Sequence, residues 1–404
     1  MRISGIEIKN FRSIKNQKIK ISPITVLYGH NSAGKSSLIY SLLVLRNIIL
    51  NPNQQSLAFF NLNFVNLGDY KKVVFDHKEK NIIEFIIDIE TENVILKYGV
   101  SIHDKKGKFI LDMAELDDAY EYLFKIDVTF PYPLNIEDKK VLNYEGNKFN
   151  ASWNGITAQI TAETTGSKSS ETADSMMNML NSPIRILNRI DFVPLGRGFH
   201  KFSYSPVGLS PNITTEDEVA TVIINDPYLE GKLSTYLERI VDREFRRRIA
   251  PGTAMASLLT VEKPLGLTVD VVNDGFGVNQ VIFLLAKCLR NDVELICIEE
   301  PEIHLHPTAI RRLVHTIVDI AHDESKNFII STHSESFIVA LLSLVSKGKL
   351  DPNEISFYLV KKERKETTFE YQTVNEDGEI DGGLTSLMES EIEDLKEFLK
   401  IRDK

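Results

Sequence analysis

The chain has 404 residues, 47 Lys and Arg against 57 Asp and Glu, a formal net charge of −10, 43% hydrophobic and 26% charged residues. That balance excludes a mainly disordered chain and supplies core material for two or three domains. Net acidity argues against a nucleic-acid coat protein, though it leaves room for a local basic groove.

No stretch reaches the roughly 18 apolar residues a transmembrane helix needs, and the run from Phe337 to Val345 is far shorter. The opening Met1-Arg2-Ile3-Ser4 meets charge too early for a secretory signal. Cys288 and Cys297 both lie in apolar surroundings, which argues against disulfides and a cysteine metal site. The expected location is a reducing cytoplasm, with no membrane partner.

The first fifty residues read as strand, strand, strand, loop, helix. Ile6, Ile8 and Phe11 alternate with polar residues, as do Ile19 and Ile21, which predicts two paired half-buried strands. Ile24 to Tyr28 is a short, nearly continuous apolar run suited to a buried central strand. A helix is expected from Lys35 to about Ile49. From about residue 70 to 112 the period falls to two, and Ile83, Phe85, Ile87 and Ile89 are set to face Val94, Leu96, Tyr98, Val100 and Ile102 across a Thr91-Glu92-Asn93 turn. The Ser-, Thr- and Gly-rich stretch from Ser152 to Thr172 reads as a mobile loop. Asp191 to Arg197 reads as strand then turn, and Pro227 to Arg248 as a helical segment ending in Arg243, Arg246, Arg247 and Arg248. An apolar helix is expected from about Val281 to Leu289. In the last third, apolar runs at Val293–Ile298 and Asn327–Ser331 flank a helix-period segment from Ala309 to Ala321, a βαβ unit with a parallel sheet.

Gly29-His30-Asn31-Ser32-Ala33-Gly34-Lys35-Ser36 fits the phosphate-loop pattern GxxxxGK[ST] without departure. Backbone N–H groups of such a loop and of the following helix surround phosphates with donors. Lys35 would reach the β- and γ-phosphates and the Ser36 hydroxyl would ligate Mg²⁺, so ATP and Mg²⁺ are the expected ligands. At the end of the Leu295–Ile298 run stand two adjacent carboxylates, where open α/β sheets place their ligands. Glu299 suits the Mg²⁺ shell and Glu300 suits the orientation or deprotonation of an attacking water. His333, in Ser331-Thr332-His333-Ser334, ends the next strand and would meet the γ-phosphate or that water. Asn273-Asp274-Gly275-Phe276-Gly277-Val278-Asn279-Gln280 reads either as a second anion-binding helix start or as an ordinary glycine turn. His304 and His306 lack a third ligand at zinc spacing.

In this order the motifs resemble the ABC-type ATPase head of SMC- and RecF-like DNA-repair proteins. They resemble in particular the overcoming-lysogenization-defect (OLD) group, with the phage-defence ATPases of Gabija, Septu and PARIS type. Ile6 to Ser13, Gly29 to Ser37, Gly275 to Gln280, Ile298 to Pro307 and Ser331 to Ser334 carry the likeness, with looser support from Val65–Tyr70 and Val193–Arg197. It implies an α/β fold, a P-loop NTPase with an ABC-type head, mixed sheet core, antiparallel β-lobe and inserted helical region. It implies that Gly29 to Ser37 cradle the nucleotide and that Gly275, Gly277 and Asn279 cap ATP on the opposite protomer of a head-to-head homodimer. Asn279 stands where related heads often have Ser, and His306 where many carry an acidic residue. His333 matches the switch histidine.

The expected organisation is an ATPase core over 1–70 and 255–345, a β-lobe with inserted helices over 71–254, and a strand/helix extension over 346–404. Too few residues follow His333 for the Toprim nuclease of OLD proteins, and Asp377, Glu379 and Asp381 read as a turn between glycines. A separate effector protein, a nuclease or toxin, is therefore the expected partner of a dimeric ATPase switch in phage defence. A RecF-like DNA-binding ATPase, motivated by the four arginines, and a slow-turnover scaffold are the alternatives; the arginines also read as a solvated helix face. The long insertion and repair-like opening argue against a transporter subunit.

Overall fold

The computed structural model describes residues 1–91, 94–114, 123–144, 146–163, 167–263 and 265–381. The chain opens with β1 (Arg2–Phe11) and β2 (Ile14–Lys20), where Ile6 pairs with Ile19 as the alternation predicts. A bulge between Ile3 and Gly5 lets both Ile3 and Ile6 point inward. β3 (Ile24–Tyr28) is buried at every position and leads through the glycine loop into α1 (Lys35–Leu50). Two short helices follow, α2 (Ser56–Phe59) and α3 (Tyr70–Val73), the latter capped by Asp69, which accepts from Lys72 N at 3.0 Å.

The period-two region forms β4 (Ile83–Glu90), β5 (Ile95–His103), β6 (Lys106–Ala114) and β7 (Phe124–Thr129). Ile83, Phe85, Ile87 and Ile89 lie opposite Ile102, Val100, Tyr98 and Leu96, the register read from the alternation; Glu92 and Asn93 of the expected turn lie outside the described residues. Next come β8 (Asp138–Tyr144), β9 (Asn147–Trp153), β10 (Ala158–Ala162), α4 (Ser167–Leu180) and α5 (Ser182–Asn188). Within the expected mobile loop over Ser152–Thr172, the described residues include the end of β9, all of β10 and the start of α4, a correction of the loop reading, and residues 164–166 lie outside the described residues. Ala158 and Ile160 face inward, and Trp153, 1% exposed, packs its ring at 5.8 Å from Phe124, so small side chains there serve a packed surface.

The chain continues through β11 (Ile190–Val193), α6 (Glu216–Asn225) and α7 (Pro227–Val241). Thr215 and Glu218 form a capping box on α6, and Asp226 caps α7 ahead of a proline in its first turn. The helix expected to run to Arg248 ends at Val241, because Asp242 takes the left-handed conformation (φ 57°). Residues beyond it form β12 (Glu244–Ile249), paired with β13 (Ala256–Glu262) and followed by β14 (Leu267–Asp270). The arginine run therefore lies on a strand, where register against β13 overrides the helix propensity of Arg.

The last third comprises α8 (Phe276–Cys288), β15 (Leu295–Glu299), α9 (Pro307–Asp323), β16 (Asn327–Thr332), α10 (Glu335–Val345), β17 (Ile355–Glu363) and β18 (Glu366–Gln372). A Val374–Ile380 bridge closes the turn carrying Asp377 and Glu379. The part of the expected 346–404 extension beyond residue 381 lies outside the described residues.

The chain divides into two compact units. One, of Met1–Ile21, Ser36–Arg189 and Lys362–Thr368, is built on the antiparallel sheet β2-β1-β4-β5-β6-β7 and the smaller sheet β10-β9-β8. The other, of Ser22–Lys35, Ile190–Lys361 and the residues from Phe369 on, is built on the sheet β11-β15-β16-β3-β17-β18 and the sheet β12-β13-β14. Pairings from β11 through β17 are all parallel, as βαβ connections require. Its core joins Ile24, Val26, Ile296, Ile298, Phe328 and Ile330 of the sheet to α7, α8, α9 and α10. α8 is buried at every position from Asn279 to Cys288, as befits a largely apolar helix, and its buried Lys287 pairs with Asp191 at 3.0 Å. Among the described residues no helix is long and apolar enough to cross a membrane.

Candidate nucleotide site

Parallel strands deliver their C-terminal ends to one edge of the sheet, and the strand order decides what meets there. β16 lies between β15 and β3. Glu299 pairs with Ser331, and Thr332 with Tyr28, so Glu300, His333 and Gly29 leave three adjacent strands at nearly the same level.

The loop that leaves β3 is held close to its neighbour strand. Gly29 has φ 137°, and a Cβ there would collide with the Val360 carbonyl, so only glycine fits. His30, Asn31 and Ser32 are exposed, Ala33 and Lys35 are buried, Gly34 and Ser36 half-buried, and Ser37 buried in the first turn of α1. Lys35 folds back into its own loop: Nζ donates to Gly29 O at 2.9 Å and His30 O at 3.0 Å, and lies 2.8 Å from His333 Nε2. Burial pulls the Lys35 ammonium down to about 8 despite the opposing fields of Glu300, Glu302 and Glu299. Burial and the Lys35 charge likewise lower the imidazole of His333, so its neutral ring accepts from the lysine.

On the other side, His333 Nε2 lies 3.4 Å from Glu300 Oε1. Glu300 N donates to Ser331 O at 2.8 Å, and its φ of 43° is left-handed, costing roughly 1–2 kcal/mol for an L-residue. Two residues given no role in the sequence reading hold this turn. Arg197 donates from Nη1 to Glu299 O at 2.7 Å and Pro194 O at 3.1 Å, and from Nη2 to Glu300 O at 2.6 Å. Glu302 Oε1 accepts from Thr332 Oγ1 at 2.5 Å and His333 N at 3.3 Å, and burial raises its carboxyl. Arg197 lay within the Val193–Arg197 stretch and Glu302 within the Glu299–Pro307 run. Their roles depend on a tertiary approach that no local pattern announces.

The second glycine motif divides. Gly275 (φ 68°) precedes α8 with open space around it, and Phe276 is 68% exposed, its ring 5.8 Å from that of His304. Gly277 lets the helix start approach the His304 carbonyl, which a Cβ would meet at 2.8 Å. Asn279 is 6% exposed, and its amide donates to Phe199 O and accepts from Phe199 N, each at 2.7 Å. That side chain is a brace within its own unit. His306 caps α9 by accepting from Thr308 N, and among the described residues no group of three His, Cys, Asp or Glu could hold a metal ion. The arginine run is largely committed within the chain, Arg243 to Glu262 and Asp274, Arg246 to Glu244, and Arg247 to Glu230.

A phosphate loop on a central parallel strand, a histidine on the next strand and paired carboxylates on the one after define a P-loop ATPase head of the ABC type, as in the OLD and RecF/SMC-like group. The chain belongs to the family described as "AAA domain, putative AbiEii toxin, Type IV TA system", whose model matches residues 123–340. A second model, "AAA ATPase domain", matches residues 1–191. The Old nuclease of Escherichia phage P2 is 21% identical over 362 residues, which are 84% of this chain and 58% of that protein, so the chain spans less than two thirds of this relative. Similar solved structures include the SMC head domain from Thermotoga maritima (10% identity, 92% of this chain and 99% of that one, TM-score 0.44). Another is the Smc head domain bound to the C-terminal domain of ScpA from Pyrococcus furiosus (10% identity, 98% and 99%, TM-score 0.47).

Proposed function

We propose that the chain is an Mg²⁺-dependent ATPase that acts as a head-to-head dimeric switch and controls a separate effector protein in phage defence. The observation that carries the reading is the line Lys35–His333–Glu300, a cation, a neutral imidazole and a carboxylate in successive contact at the sheet edge. Lys35 is placed to exchange its two loop carbonyls for phosphate oxygens. Glu300 Oε1 is placed to take a proton from an attacking water, with His333 Nε2 beside it to orient that water or the terminal phosphate. The Ser36 hydroxyl and Glu299 carboxylate are hard oxygen donors, the set that suits Mg²⁺ carried in with phosphates rather than caged by protein alone. Bound there, Mg²⁺ supplies neutralisation of phosphate charge.

The exposed start of α8, with Gly275 and Phe276, supports a second copy as the surface that completes the site. DNA binding is the weaker reading, since three of the four arginines are ion-paired within the chain. Lys35→Ala is expected to lose ATP binding, whereas Glu300→Gln binds ATP, stalls, and sediments as a dimer with it. Hydrolysis by Glu300→Gln at the parental rate would overturn the assignment of the base. Steady-state phosphate release compared with bound nucleotide separates a turning-over switch from a static scaffold.

A further inference from the structure

Arg197 is 5% exposed. Among the described residues no carboxylate oxygen forms a salt bridge with it, so its charge is balanced by carbonyl oxygens and by the more distant fields of Glu302, Glu300 and Glu299. Burying a guanidinium on these terms is costly, and burial lowers it to about 10. Its Nε is buried without a partner. A staple between β11 and β15 alone would need no charge. What the fork grips is the backbone of the two carboxylate residues, including Glu300 in its left-handed conformation.

We propose that Arg197 is a positioning residue for ATP hydrolysis: by holding the Glu299 and Glu300 carbonyls it sets the direction in which the Glu300 carboxylate leaves the strand end, toward His333. The inference rests on the ATPase reading above. The planar fork matters, because a lysine ammonium at the same place is a compact charge that cannot reproduce three divergent bonds. Arg197 touches no reacting atom, so its removal acts on turnover and not on nucleotide capture.

The test uses the full chain with ATP and magnesium, comparing the parent, Arg197→Lys and Arg197→Ala by kcat, KM, affinity for a fluorescent ATP analogue, and thermal unfolding. The expected result is at least a tenfold loss of kcat in both folded variants, KM and analogue affinity within about threefold of the parent, and partial recovery of Arg197→Ala by millimolar guanidinium. If Arg197→Ala does not fold, Arg197→Lys decides. Arg197→Lys with kcat within twofold of the parent overturns the proposal, as does a folded Arg197→Ala that guanidinium leaves unimproved. A parent that binds ATP without hydrolysing it overturns both this inference and the enzymatic reading. A hydrolysing parent with unaffected variants overturns this one alone.

Discussion

Lys35 Nζ stands 2.8 Å from His333 Nε2, and that contact joins the phosphate loop to the neighbouring strand end. The same ammonium gives two bonds to loop carbonyls, so before nucleotide arrives its donors are satisfied by protein. A proton on His333 would set two cations together with Glu300 as the nearest opposing charge, and the neutral ring is the stable form.

Nucleotide affinity is expected to weaken with rising pH. Lys35 in the free protein is lowered to about 8 by burial, and phosphate would raise it, so binding takes up a proton above that pH. Affinity is then level below about pH 8 and falls by up to about tenfold per unit above it. Titration of a fluorescent ATP analogue between pH 7 and 9.5 reads this directly, and a flat profile contradicts the placement of Lys35 on phosphate.

His333→Ala removes one of three Lys35 partners and the imidazole that stands between Lys35 and Glu300. Binding is expected to stay within about threefold and phosphate release to fall by roughly 10²-fold, the range for a proton-handling or water-orienting side chain. Equal losses in binding and turnover would instead assign His333 to ground-state contacts.

Asn279→Ala should act on stability. It leaves the Phe199 N–H and C=O without their partner, at about 2–4 kcal/mol for the two buried groups. Urea unfolding measures the loss. Folded variant protein that has lost ATP-dependent dimerisation, with unchanged stability, would restore Asn279 to the intersubunit site.

The arginine strand gives a paired comparison. Arg247 is held by Glu230 at 2.9 Å and by the carbonyls of Ile223 and Ile224, whereas Arg248 is exposed. Arg247→Ala is expected to lower stability by about 1–3 kcal/mol and Arg248→Ala by less than about 0.5. Salt-sensitive DNA binding abolished by Arg248→Ala would revive the nucleic-acid reading.

The elements that build the sheet edge were legible because strong local signals agreed. β3 is a nearly continuous apolar run ending in a phosphate-loop pattern, and β15 and β16 are apolar runs separated by a helix-period segment, which forces parallel pairing. Elements that escaped were decided elsewhere. α7 ends at Asp242 through a left-handed cap that Asp tolerates, and β12 exists because β13 lies beside it. β9 and β10 are written in small polar residues, and Trp153 supplies the packing that composition hid. Arg197 and Asn279 showed their identity but not their partners, which lie about one hundred residues away along the chain for Arg197 and about eighty for Asn279.

Placing β3 between β16 and β17 has a consequence for biosynthesis. The strand that carries the glycine loop is synthesised roughly three hundred residues ahead of both flanking strands, which begin at Asn327 and Ile355. At 5–20 residues per second, Ile24 to Tyr28 waits roughly 15–65 s for its neighbours. During that interval a largely apolar segment needs a chaperone or a provisional partner, and mutations that slow translation before β17 should lower yield without altering the finished fold.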